Sequence, residues 1–220
     1  MLANNIMKTK LITLLVLLGL SINAASGGEG SASVGYASDY FLRGSLVSGE
    51  SVQSDVSYGA DLGGFNAKLN AFTNQSSSAD TYIFNGTLSR QIGDIVSANL
   101  GLEHTELVSG EAVLDIRLGA ALNTALSPAF VLEKNLEEDL YTVEVSVSHE
   151  LDLKVANLAL SALYGSTDAS STLNVDYYIL GASASREISD AAEVQLGVEH
   201  VNSDTIEGEE VFSLSLNLKF

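Results

Sequence analysis

Val211-Phe212-Ser213-Leu214-Ser215-Leu216-Asn217-Leu218-Lys219-Phe220 ends the sequence, and it alternates without a break. Phe212, Leu214, Leu216, Leu218 and Phe220 fall on one side of an extended chain; Ser213, Ser215, Asn217 and Lys219 fall on the other. Successive side chains of a strand point to opposite faces, so the stretch predicts a strand with one wholly apolar face. That face needs lipid or a core. The opposite face, small and polar, needs water.

The same pattern recurs upstream. Alternation predicts strands over Ser31–Phe41, Val52–Ala60, Phe65–Phe72, Thr81–Arg90, Ile95–His104, Ala112–Leu122 and Ala129–Lys134, then around Tyr141–Ser148, Leu158–Tyr164, Val175–Glu187 and Glu193–Glu199. With the closing stretch this makes about twelve strands, at spacings typical of antiparallel all-β chains. Their polar faces carry mostly Ser, Asn, Thr and Gly. The solvent face of a soluble sandwich would instead carry long charged side chains. Lipid outside and a wet lumen inside satisfy both faces, so the expected fold is an all-β, transmembrane, antiparallel up-and-down β-barrel. Phe220, at the end of its apolar face, resembles the assembly signal of bacterial outer-membrane barrels, which makes the barrel-assembly machinery an expected partner.

Composition narrows the function. The 220 residues carry 28 acidic and 10 basic side chains, a formal net charge of −18. Phosphate recognition needs a basic face, so nucleic acid is not an expected partner. There is no Cys, hence no disulfide framework and no thiolate metal site. Lys8 and Lys10 precede the apolar run Leu11–Leu20 and the small residues around Ala24 and Ala25. This reads as a signal peptide over residues 1–25, too short in its apolar part to span a bilayer, with the barrel domain over 26–220. Outer loops are expected at Arg43–Ser51, Thr73–Asp80, Thr105–Glu111, Glu133–Asp139, Gly165–Asn174 and Asn202–Glu210, opposite shorter turns.

Ser38-Asp39-Tyr40-Phe41-Leu42-Arg43-Gly44, just after the leader, resembles a motif of the TorF family of Gram-negative porins. Leu126-Ser127-Pro128-Ala129 and Tyr141 at the opening of the next strand are similar to that family as well. Where the family tends to carry Ser-Gln after the Arg-Gly, Ser45-Leu46-Val47-Ser48 stands here. The resemblance implies a porin-like barrel in the cell outer membrane, in contact with lipid and lipopolysaccharide, and names no solute.

Candidate site residues follow from alternation. Asp115 and Arg117 share the inward face of one strand, and Glu103, Glu144, Glu193 and Glu199 are also expected inward as pore-lining charges. An acid-biased lumen tunes selectivity and predicts a weak cation preference among small solutes. The alternative is a lumen where these charges pair with Arg117, Lys68 and Lys219, giving a non-conducting barrel with a structural or surface role. Asp39 and Arg43 read either as pore-facing charges or as a structural ion pair at the rim. No loop has the spaced Asp-x-Asp-x-Asp-Gly order of a calcium site, and no cofactor motif is present. His104, His149 and His200 lack a Ser partner in strand geometry, so no catalytic residues are expected. Those rings, with Tyr36, Tyr58, Tyr82, Tyr141, Tyr164 and Tyr178, suit the membrane–water boundary.

Overall fold

Period-two alternation decides which face of each strand can meet lipid, and the chain closes those strands into a ring. A computed structural model describes residues 28–107, 112–170 and 173–220. The expected signal peptide lies outside the described residues, as do residues 108–111 and 171–172 of two expected loops. In chain order the strands are β1 (Glu29–Ala37), β2 (Tyr40–Leu42), β3 (Ser45–Ser48), β4 (Ser51–Asp61), β5 (Asn66–Ser76), β6 (Thr81–Ile92), β7 (Val96–Leu107), β8 (Ala112–Leu122), β9 (Ala129–Asn135), β10 (Tyr141–Asp152), β11 (Asn157–Ser170), β12 (Leu173–Ser189), β13 (Ala192–Ser203) and β14 (Ile206–Lys219). Twelve of them, β1 and β4 to β14, form a closed antiparallel barrel, and β2 and β3 form a separate hairpin.

Register carries the apolar residues to one side. Leu100 pairs with Leu118, which pairs with Leu132, so one apolar row crosses β7, β8 and β9. Large apolar side chains in such rows are exposed: Leu69 at 62%, Phe212 at 60%, Leu196 at 58%. A band of this extent marks a membrane-facing surface, because soluble monomers rarely expose contiguous apolar area beyond a few hundred Å². Tyr36, Tyr141, Tyr164 and Tyr178 are exposed on the same outer face.

Closure depends on the first and last strands. Ser31 to Ala37 pair with Lys219 to Ser213. Gly30 and Phe220 exchange both backbone hydrogen bonds, N–H to O at 2.8 and 2.9 Å. At the other end of the seam, Ser38 N–H donates to the Phe212 carbonyl at 2.9 Å, and Phe212 N–H donates to Ser38 Oγ at 3.0 Å. The ladder therefore stops on a side chain, and the strand expected to run to Phe41 leaves the sheet at Ala37.

The connections at the Gly30–Phe220 end, here the turn end, are tight. Gly63, Gly64, Gly93 and Lys154 there have positive φ. The opposite end departs from expectation. Most of its expected loops are strand: β5 runs to Ser76, β9 to Asn135, and β13 and β14 approach each other to Ser203 and Ile206. Polar side chains beyond the bilayer lose the apolar alternation that reveals a strand, yet their backbones still gain by pairing. Among the described residues only the first connection, 38–50, is long, and it folds inward as the β2–β3 hairpin.

Candidate functional site: a hairpin held across the lumen

The wall formed by β7, β8 and β9 is the origin of the site. Glu103 pairs directly with Asp115, and Arg117 directly with Glu133. Asp115 is 1% exposed, Glu133 4% and Glu103 6%. Carboxylate oxygens of the three acids lie within 4.8 Å of one another. Like charges placed opposite each other destabilise a sheet unless a cation intervenes. Arg117 supplies one: its Nε is 2.7 Å from Glu133 Oε1, and its Nη1 donates to Glu103 Oε2.

The second cation comes from the hairpin. Arg43 Nη2 donates to Asp115 Oδ2, lies 2.7 Å from Glu133 Oε2 and is 3.9 Å from Glu103 Oε1. Local conformation aims it there. In the two-residue turn between Leu42 and Ser45, both Arg43 (φ 50°) and Gly44 (φ 74°) have positive φ. That is the pattern of a type I′ hairpin turn, whose twist matches its strands. Glycine adopts it freely; arginine pays a steric cost that its buried ion pairs offset.

Other contacts brace the hairpin on both walls. Asn74 Nδ2 on β5 donates to Ser48 Oγ at 3.0 Å, and the Tyr40 ring tilts against Phe72 at 5.6 Å between centroids. On the far side, a Cβ on Gly44 would stand 2.6 Å from the Tyr177 Cβ on β12. Tyr177 is 2% exposed, and its hydroxyl donates to Glu144 Oε1 at 2.6 Å. It pairs with Gly165, whose missing side chain leaves room for the ring.

The lumen is therefore unequal along its axis. At the hairpin level it is packed. Toward the turn end lies a cavity of about 610 Å³ lined by Ser31, Ser57, Asn66, Lys68, Lys219 and Phe220 among others. Its wall carries the neutral contact of Ser31 Oγ with Ser57 Oγ at 2.8 Å.

Of the residues singled out by alternation, Glu103, Asp115, Arg117 and Glu144 are gathered around the hairpin tip. Glu193 lies apart, accepting from Ser185 Oγ at 3.1 Å and Asn217 Nδ2 at 3.3 Å. Glu199 pairs with Gly181 and Val211, also apart. The motif Ser38, Asp39, Tyr40, Arg43, Gly44 supplies the seam cap, the hairpin and its tip. Sequence reading missed Glu133, expected in an acidic outer loop, and Tyr177. Glu133 was accessible, since it alternates with Phe130 and Leu132. His104, His149 and His200 pair with Leu114, Leu160 and Leu180, on apolar outward rows.

No protein-family model matches the chain, and no curated protein matches it by sequence. Solved structures match its fold. The KdgM porin in complex with disordered oligogalacturonate superposes with a TM-score of 0.60 at 11% identity, covering 86% of this chain and 99% of that one. An outer membrane channel from Pseudomonas putida F1 gives 0.59 at 10% identity, covering 88% and 96%. The NanC porin gives 0.58 at 7% identity, covering 87% and 100%. At these identities the likeness is one of fold: the chain shares the barrel architecture of outer-membrane channels.

Proposed function

We propose that this chain is an outer-membrane channel for passive diffusion of small polar or ionic solutes, with a weak cation preference, and that the β2–β3 hairpin forms its constriction. The observation that carries the reading is the buried charge at the hairpin tip. Buried ion pairs are poor stabilisers, since desolvation offsets most of their attraction. A barrel with only a structural role gains little from five charged groups inside, whereas a channel uses fixed charge at its narrowest level to select among solutes. The outnumbering of basic by acidic groups on the lumen wall supports cation preference. The likeness of Ser38–Gly44 to the TorF family motif supports the same reading, because those residues build the constriction.

The protein would be exported by a cleaved signal peptide over residues 1–25 and folded into the outer membrane by the barrel-assembly machinery. The turn end would face the periplasm, and the apolar band would contact lipid and lipopolysaccharide. In planar bilayers the wild type should give small, reproducible conductance steps, with reversal potentials in a salt gradient favouring cations. Arg43→Ala should give larger steps, because the hairpin loses its main tether. Anion-favouring reversal potentials would overturn the selectivity. The packing at the hairpin level, with Asn74 and Thr81 fully buried, favours one other reading, a non-conducting barrel with a surface role. Absence of current from both wild type and Arg43→Ala would establish it.

A further inference from the structure

Five connections close the turn end, and at each of them stands an exposed large apolar side chain: Leu62, Ile95, Leu126, Val155 and Ile188 are 54–72% exposed. Left in water, such side chains keep their full hydration cost. Ile188 shares the outward parity of Tyr178 and Leu180, so the rim continues the lipid-facing band. Charge divides along the same axis. On the outward face the loop end carries Glu106, Asp176 and Glu210, and its Lys134 lies 2.6 Å from Asp139. The turn end carries Arg90 and Arg186 on that face instead, with the Arg90 guanidinium 5.0 Å from the centre of the Phe65 ring.

A recess of about 360 Å³ joins the two features. It lies between the β10–β11 turn and the end of β12, and Lys154, Val155 and Arg186 line it together with Asp152 and Glu187 among others. The two acids have other partners: Asp152 Oδ1 accepts from Lys154 N–H at 2.9 Å, and Glu187 Oε1 lies 3.5 Å from Lys219 Nζ. Neither the Lys154 ammonium nor the Arg186 guanidinium enters an ion pair among the described residues. Lys154 also holds a φ of 64°, a conformation costly to a residue with a Cβ, where the β4–β5 and β6–β7 turns use Gly63, Gly64 and Gly93. We infer that this recess seats the phosphate of an anionic phospholipid, from the leaflet that meets the turn end, between Lys154 and Arg186, with an acyl chain against Val155. Arginine offers phosphate oxygens paired donors, and lysine adds a compact charge. Continuity with the lipid-facing band and the single sign of the outward charge at this end commit the surface to lipid. The inference goes beyond the channel reading and does not rest on it, since a non-conducting barrel would meet lipid in the same way.

The test is native mass spectrometry of the folded barrel released from micelles that hold equal amounts of phosphatidylglycerol and phosphatidylcholine. Both lipids carry the phosphate, but only the first has a net charge. The wild type should retain phosphatidylglycerol with at least about tenfold preference, since each of two basic groups near an anionic lipid contributes. Lys154→Gln combined with Arg186→Gln should bring the two lipids to parity, with heat-modifiable gel migration confirming a folded barrel. Lys134→Gln removes the outward cation of the loop end and should leave the preference unchanged. Inorganic phosphate in large excess should not displace the lipid, because it lacks the acyl chain held against the rim. Equal retention of both lipids by the wild type, an undiminished preference in the double variant, or the same fall in Lys134→Gln would overturn the site. Displacement by inorganic phosphate would assign the recess to a free anion and overturn the lipid.

Discussion

Gly44 meets two demands at once. Its φ of 74° belongs to the left-handed region, and its missing Cβ makes room for Tyr177. Gly44→Ala should cost about 1–3 kcal/mol of hairpin docking through backbone strain and the clash together. The expected outcome is protease cutting within residues 38–50 of a barrel that still migrates as folded; a cleavage pattern like the wild type's would show that the turn is not held as described. Tyr177→Phe removes the donor to Glu144, a partly enclosed carboxylate, and should loosen the hairpin as well, by about 1–3 kcal/mol at most. Arg43-Gly44 stands out in the sequence as a motif, but its role as a turn does not. Asn-Gly and Asp-Gly are the usual signals of a two-residue hairpin. Here the arginine tolerates positive φ because carboxylates on three other strands hold it, and those carboxylates are 60 or more positions away (Glu103, Asp115, Glu133).

At the scale of the strand, alternation carried most of the fold. The strand expected to end at Leu122 does end there, and wherever apolar and polar residues alternate, the inward and outward faces follow. The pattern fails above the bilayer, where Thr73–Asp80 and Asn202–Glu210 look like loops. There neither face of a strand needs to be apolar, so pairing leaves no trace in hydropathy. It fails again after Ala37, where β1 ends at Ser38, whose Oγ accepts a hydrogen bond from Phe212 N–H, 174 positions along the chain. The seam itself gives a sharp prediction. Leu218 lies outward, paired with Ala32 on β1 and Ala192 on β13, and Phe220 is tied to Gly30. Aspartate at either position puts a charge on the last pairing surface before closure, at a cost below the roughly 2–4 kcal/mol of a lysine or arginine at mid-bilayer and smaller again near the interface. Leu218→Asp and Phe220→Asp should therefore lower the amount of folded barrel in outer-membrane fractions while leaving the selectivity of the surviving channels alone. Normal outer-membrane levels with altered selectivity would contradict the role given to the seam.

Taken as a whole, the molecule is a tube with one wide end and one strapped end, and this asymmetry could not be read from strand patterns. Alternation says which residues face inward, but not whether a connecting segment turns in to meet them. That depends on a negative wall on β7 to β9 and a positively charged tip, Arg43, five and seven positions from the ends of the 38–50 connection, brought together only when the sheet closes. The asymmetry has a measurable consequence. A neutral flexible polymer smaller than the turn-end cavity of about 610 Å³ should enter from that end and lower the current, because it displaces mobile ions from the vestibule. Added from the hairpin end, the same polymer meets the packed level around Arg43 and should leave the current nearly unchanged. In Arg43→Ala the hairpin is free to swing away, so the two sides should become alike. Equal polymer effects from both sides of the wild type would mean that the hairpin does not set the narrowest point, and the cation preference would then have to arise from wall charge nearer the open end, such as Glu193, which pairs with Asn217 and Glu187.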